Sequence, residues 1–302
     1  MFSSKLKTGR NLYVLRKLST AHAILREELN SKVTNPSTSN FKTYANPEQY
    51  WDDAADWYQT FFSKISGKIY ETMVPFLNLE DAKSILETGS GIGLGAETFL
   101  EHGSPEAKLH LTDYSNKFIE KCREKDFPRT EILKASPEAL PFSGESFDRY
   151  VSLATVEEFE NPKLILTEAF RVLKPNSILG LSIQGKRASN RIANVFDSIR
   201  SSLNIEKPLK LKKDFRNPSK IGQILKDCGF HRTVFFYEQC HYPSRDIQEL
   251  KNFFLEEPTV KQALETGKAE QIHQIIEEHL DYALNQEETP MSYEALIIMG
   301  YK

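Results

Sequence analysis

Four glycines at alternate positions, Gly89, Gly91, Gly93 and Gly95, follow a short apolar run and open a helix-like segment in "SILETGSGIGLGAETFL", residues 84–100. A strand ending in such a loop aims backbone N–H groups and the positive end of a helix dipole at one point, and a Cβ there would hold a ligand off. The chemistry this suits is recognition of a phosphate or of a nucleoside-bearing cofactor. Gly91-x-Gly93-x-x-Ala96 even satisfies the dinucleotide fingerprint, whereas a P-loop is excluded because no Gly-Lys-Ser/Thr closes the loop. Glu87 discriminates further. It lies at the strand end, two residues before Gly89, where a carboxylate repels a diphosphate and favours an ammonium group. Asp113, in "LHLTDYS" and 20 residues past Gly93, stands at the end of the next strand, where an acid can accept both hydroxyls of a ribose.

The elements that must hold these residues are legible in the periodicity. Short apolar runs, SILE, LHLT (109–112), EILKA (131–135), RYVSL (149–153) and ILGLSI (178–183), alternate with amphipathic segments. Strands alternating with helices imply βαβ units and a mostly parallel sheet. Two more strand candidates, "TVFFYE" (233–238) and "EALIIMGY" (294–301), flank a helical stretch over about 245–285. There Ile247, Leu250, Phe254 and then Ile272, Ile275, Ile276, Leu280 keep helical spacing, with Pro258 and Gly267 breaking the run into pieces. Such a block between two strands would cap one end of the sheet. Upstream, "YWDDAADWYQTFFSKISGKIYETMVPFL" combines helical spacing with Tyr50, Trp51, Trp57, Tyr58, Phe61 and Phe62, an aromatic lid for the cleft. "KVTNPSTSN" (32–40) reads as a linker, and there is no internal repeat.

With 302 residues the chain can bury a real core. Its 42 acids against 39 Lys plus Arg give −3, which offers no global attraction for nucleic acid. "KPLKLKKDFR" (207–216) is the one basic cluster in the second half, and it reads as a solvated loop. Three scattered cysteines, Cys122, Cys228 and Cys240, point to a reducing compartment, and no apolar run is long enough to span a membrane. From Met1 to Arg26 there is no acid, while Lys5, Lys7, Arg10, Arg16, Lys17 and Arg26 are basic. The expectation is a cytoplasmic protein, with the mitochondrial matrix as the alternative reading of that segment.

Four motifs in order, "LETGSGIG", "LTDYSNKFI", "ASPEALPFSGESFDRYVS" and "EAFRVLKPNSILGLSI", span Ser84 to Ile183. In this the sequence resembles the class I S-adenosylmethionine-dependent methyltransferases, in particular the small-molecule branch that includes quinone-biosynthesis enzymes. The resemblance implies an α/β fold: a Rossmann-like, doubly wound seven-stranded sheet, the last strand antiparallel, with an N-terminal helical lid and a C-terminal helical cap. It implies S-adenosylmethionine as cofactor. Glu87 then resembles the acid facing the methionine amino end, with Gly89, Ser90, Gly91 and Gly93 in the cofactor loop. Asp113 matches the ribose acceptor and Tyr114 the residue on adenine. Ser136 and Pro137 match the adenine-side loop, Leu153 the strand end near the methionine, and Tyr58 a lid residue touching cofactor or acceptor. The family often has Asp where Ser136 stands, and "LKPNS" replaces the common LKPGG, which is benign because Asn tolerates a left-handed turn.

The chain is expected to divide into a basic extension and linker (1–45) and a methyltransferase domain (46–302), itself made of a lid (46–80), a cofactor core (81–185) and a C-terminal half (186–302) with the helical cap at about 245–285. The expected function is methyl transfer to a small apolar or aromatic acceptor. Glu157, Glu158, His231 and His241 are the candidate bases, none of them required, since alignment and water exclusion can supply much of the acceleration. Cys228, His231, Cys240 and His241 lack the paired spacing of a zinc site, so no metal is expected. The competing functions are a non-catalytic S-adenosylmethionine-binding assembly or regulatory protein and, less favoured, a nicotinamide-dependent oxidoreductase.

Overall fold

The computed structural model describes Tyr44, residues 47–205 and residues 217–302. The chain divides into Met1–Lys42 and Thr43–Lys302, and every described residue lies in the second unit. The basic N-terminal segment, the linker and the 207–216 cluster therefore fall almost wholly outside the described residues.

Seven strands form one sheet in the order β3-β2-β1-β4-β5-β7-β6. They are β1 Ser84–Thr88, β2 Lys108–Asp113, β3 Thr130–Lys134, β4 Phe147–Leu153, β5 Leu173–Gln184, β6 Arg232–His241 and β7 Ser292–Tyr301. The first five run parallel, and β7 is antiparallel to both its neighbours, β5 and β6. This is the sheet that the resemblance implied. β7 reads as a nearly continuous apolar run because it lies between two strands, and all its residues but the last are buried.

Helices α1 Pro47–Trp57 and α2 Ser63–Leu77, joined by a π-helical turn over Tyr58–Phe62, form the lid. Then come α3 Leu94–His102, α4 Asn116–Arg123, α5 Pro162–Val172, α6 Arg191–Leu203 and α7 Pro218–Cys228. The cap is α8 Ile247–Leu255, α9 Pro258–Ala263 and α10 Ala269–Asp281. It breaks where the sequence reading placed the breaks: Pro258 is the first residue of α9 and Gly267 leaves the helical region.

One face of the sheet carries a large apolar core cluster. There Phe147, Tyr150, Leu179, Leu181, Leu296 and Ile298 pack against Ile165, Leu166 and Ala169 of α5 and Ile221 and Leu225 of α7. On the opposite face Gly180 meets Met73 and Leu77 of α2. Strand registry puts Glu87 beside Val151, and Val151 beside Gly180, so Glu87 shares the α2 face. Local signals also hold at the ends of elements. Gly229 is the left-handed cap of α7, and Asn176 of "LKPNS" takes the left-handed conformation that the sequence reading allowed it.

Candidate functional site

All the parallel strands end at one edge, at Thr88, Asp113, Lys134, Leu153 and Gln184. The glycine loop leaves β1 there and turns into α3. The expectation that its N–H groups converge on a ligand is corrected by the structure. Gly89 N–H and Ser90 N–H both donate to the Thr112 carbonyl, at 2.8 and 3.1 Å, Gly93 N–H donates to Ser90 O at 2.9 Å, and Gly91 N–H donates to Asp113 Oδ2 at 2.9 Å. A loop that spends these donors on the next strand and on itself is no cradle for a diphosphate, which argues against the nicotinamide reading.

Two glycines have specific duties. Gly91 has a φ of +54°, and beyond its missing Cβ the nearest atom is Tyr58 Cε1 at 3.8 Å, so it leaves room between loop and lid. Gly95 opens α3, where a Cβ would come within 2.2 Å of Glu87 Oε1. Its bareness lets a carboxylate lie across the start of the helix, where the dipole favours negative charge. Gly89 and Gly93 face protein, namely the Thr155 side chain and the Phe127 ring.

Glu87 is fully buried at the end of β1. Tyr70 O–H of α2 donates to its Oε1, and its Oε2 is buried with no partner. Burial, partly offset by the Tyr70 hydrogen bond and reinforced by the Asp113 charge, pushes this carboxyl up to about 8. Tyr70 is a site residue the sequence reading missed. The available signal was a polar-tipped ring among Ile65, Ile69, Met73 and Leu77 on a buried helix face, because a buried tyrosine hydroxyl needs a partner.

Asp113 is buried at the end of β2 and accepts from Gly91 N–H and Ser115 N–H, both at 2.9 Å. Burial, partly offset by these backbone donors, leaves its carboxyl at about 6. Its two oxygens retain acceptor capacity beyond those bonds. These groups fit the cofactor that the resemblance implies. A buried carboxylate oxygen awaiting a donor suits the ammonium end of a methionine, and a second carboxylate, at the next strand end, suits a ribose.

The lid reaches this edge through polar side chains. Asp52 accepts from Ser115 Oγ at 2.5 Å, and Trp51 Nε1–H donates to Glu158 Oε2 at 2.6 Å. The same oxygen accepts from Tyr114 O–H at 3.0 Å. Glu158 therefore ties the lid to the Tyr114 ring, and burial pushes its carboxyl well above the usual range despite both donors. Tyr58 O–H donates to Ser66 Oγ at 3.0 Å, and its ring meets Phe118 and Trp51. Trp51 and Tyr58 pack with Ala55, Ile92 and Phe118 as a small cluster of lid, loop and α4. Leu153 is buried at the end of β4, and Pro137 is buried in the turn after β3, where Ser136 Oγ accepts from Glu138 N–H at 3.3 Å.

Other candidates lie elsewhere. Glu157 is buried, and its Oε2 accepts from Gln184 N–H at 2.8 Å, which seats the end of β5. His241 is exposed at the end of the edge strand β6, four strands across from β1. His231 is exposed at the other end of β6, beside Tyr301. The ten-residue strand between them is about 30 Å long, so topology separates the two histidines and, with them, the Cys228 and Cys240 pairs. Among the described residues no helix is long and apolar enough to cross a membrane.

Residues 86–181 match the family model described as "Methyltransferase domain". The biotin biosynthesis bifunctional protein BioHC of Teredinibacter turnerae is 25% identical over 211 residues, 66% of this chain and 37% of that protein. The chloroplastic 2-methyl-6-phytyl-1,4-hydroquinone methyltransferase 2 of Oryza sativa subsp. japonica is 34% identical over 91 residues, 30% of this chain and 26% of that one. The matched regions thus span well under half the length of these relatives. The Haemonchus contortus phosphoethanolamine N-methyltransferase 2, in complex with S-adenosyl-L-methionine, matches with a TM-score of 0.55 at 17% identity, over 88% of this chain and 60% of that one. At that identity the likeness speaks to the fold. A methyltransferase-domain match over residues 86–181, on a sheet with this strand order and an antiparallel seventh strand, supports the resemblance to the class I S-adenosylmethionine-dependent methyltransferases.

Proposed function

We propose that this protein transfers the methyl group of S-adenosylmethionine to a small acceptor with an apolar or aromatic body. The observation that carries the reading is Glu87, a buried carboxylate with one oxygen unpartnered, one strand from Asp113 and behind a glycine loop that leaves space at Gly91. When bound, the cofactor supplies a methyl group on a sulfonium, already a good leaving group.

In this reading the chain's own residues bind, orient and exclude water. Glu87 holds the ammonium end and Asp113 the ribose. Tyr114 lies along the adenine, steadied by Glu158. Trp51 and Tyr58 close the lid over the loop, and their faces suit a sulfonium cation. The acceptor's body is supported by the rings of Trp57, Phe62, Phe196 and Phe253, which meet one another where lid, α6 and cap come together. The name of the rice relative, a hydroquinone methyltransferase, supports an apolar aromatic acceptor. Glu157 is taken up by the β5 backbone and His231 lies at the opposite end of β6, so Glu158 is the candidate nearest the lid to orient an acceptor, with His241, exposed on the edge strand, as the alternative base.

Calorimetric titration with S-adenosylhomocysteine, beside NADH and an Asp113→Ala control, tests the reading. Saturable binding that the substitution weakens at least tenfold is expected, about 1.4 kcal/mol. Binding of NADH in its place, or no binding by folded protein free of carried-over ligand, overturns it.

A further inference from the structure

Arg200 stands out among the groups that the cofactor does not use. It lies on α6 with its side chain 15% exposed, and its guanidinium sits 5.3 Å from the centroid of the Phe196 ring. Its ion-pair partner is Glu257, 1% exposed, at 3.5 Å from Nη2 to Oε1. That carboxylate is already engaged: Tyr50 O–H donates to Oε1 at 2.8 Å, and Val260 N–H donates to Oε2 at 2.9 Å as the cap of α9. Among the described residues Arg200 makes this one long polar contact, and its Nε is buried with no acceptor. The hydroxyl of Thr259, two residues past Glu257, is also buried without a partner. A buried donor left unsatisfied is costly, and more so when charged, so an anion arriving here gains what the fold leaves unmade.

The place also fits. Phe196, under the guanidinium, meets Trp57, Phe253 and Phe254. Tyr50, which donates to the same Glu257 oxygen, meets Trp51, which meets Tyr58 beside Gly91. The cation thus stands at the lid and cap end of the aromatic layer that roofs the cofactor loop. We propose that Arg200, assisted by Thr259, is the anion-reading end of the acceptor site, so that the methyl acceptor carries a carboxylate or phosphate on its apolar body. The planar fork of an arginine suits either group. This inference rests on the methyltransferase reading and deepens it.

The test uses the full chain saturated with S-adenosylhomocysteine and three probes: 4-hydroxycinnamate, its methyl ester, and phenethyl phosphate. Calorimetry on the wild type is expected to show at least one anion binding about tenfold or more tighter than the ester, and the better anion identifies the acidic group. Arg200→Met reduces that preference to within about twofold while S-adenosylhomocysteine affinity stays unchanged, and Arg200→Lys, a point charge without the fork, retains part of it. Equal binding of anions and ester, no binding of either anion, or a preference that survives Arg200→Met overturns the proposal alone. Failure to bind S-adenosylhomocysteine overturns the underlying reading and this one with it.

Discussion

Glu87 makes cofactor binding a proton-linked event. Its carboxyl stands at about 8 in the free protein, chiefly because burial penalises the charge, with the Tyr70 hydrogen bond opposing and the Asp113 charge adding to the shift. At pH 7 such a group is ~0.9 protonated. An ammonium placed against its unpartnered Oε2 favours the carboxylate, so binding of S-adenosylhomocysteine expels ~0.9 proton at pH 7 and only ~0.1 at pH 9. The count is read from calorimetry at fixed pH in buffers of different ionisation enthalpy, as the slope of apparent binding enthalpy against that quantity. Glu87→Gln removes the release. The same shift fixes a stability slope. The unfolded chain gives up this proton near 4.5 and the folded one near 8, so the free protein loses stability as pH rises through that window, on the order of a few kcal/mol, and ligand abolishes the slope. Wild-type protein that releases no proton at pH 7, or a Gln variant that releases as many, refutes the placing of the ammonium on Glu87.

Three further outcomes follow from the same geometry. Gly95→Ala puts a methyl group within 2.2 Å of Glu87 Oε1, so thermal unfolding should show a loss of about 1–3 kcal/mol together with weakened S-adenosylhomocysteine binding. A variant unchanged in both contradicts the close approach. Glu157→Ala removes the carboxylate acceptor of the Gln184 N–H and lowers stability by about 1–3 kcal/mol with cofactor affinity intact; a selective loss of affinity would place Glu157 in the site instead. Glu158→Ala removes the shared acceptor of Trp51 and Tyr114, so S-adenosylhomocysteine affinity falls about tenfold, and unchanged affinity would show that the lid and the Tyr114 ring do not need that tie.

Much of this protein is written locally. Alternating apolar runs announce the strands, because a strand buried on both faces must be apolar along its length, as β7 is. The acid, the glycines and the second acid announce the cofactor edge, since each belongs to one strand end and needs only its own neighbours to be in place. Pro258, Gly229 and Asn176 mark breaks and caps through backbone preferences that hold wherever the chain goes. Residues whose role depends on a distant partner could not be read this way. The loop N–H groups look free in sequence, yet β2 and, for Gly93, the loop itself supply their acceptors. Glu157 and Glu158 are adjacent and chemically alike, but one turns to the backbone of β5 and the other to the lid. His231 and His241 look equivalent until the course of β6 sends one to the far end of the sheet. Tyr50, Arg200 and Glu257 meet across 207 residues of chain because lid and cap fold over the same edge. Strand and turn propensities are set within a few residues, whereas a polar atom's satisfaction is set by whatever the topology packs beside it.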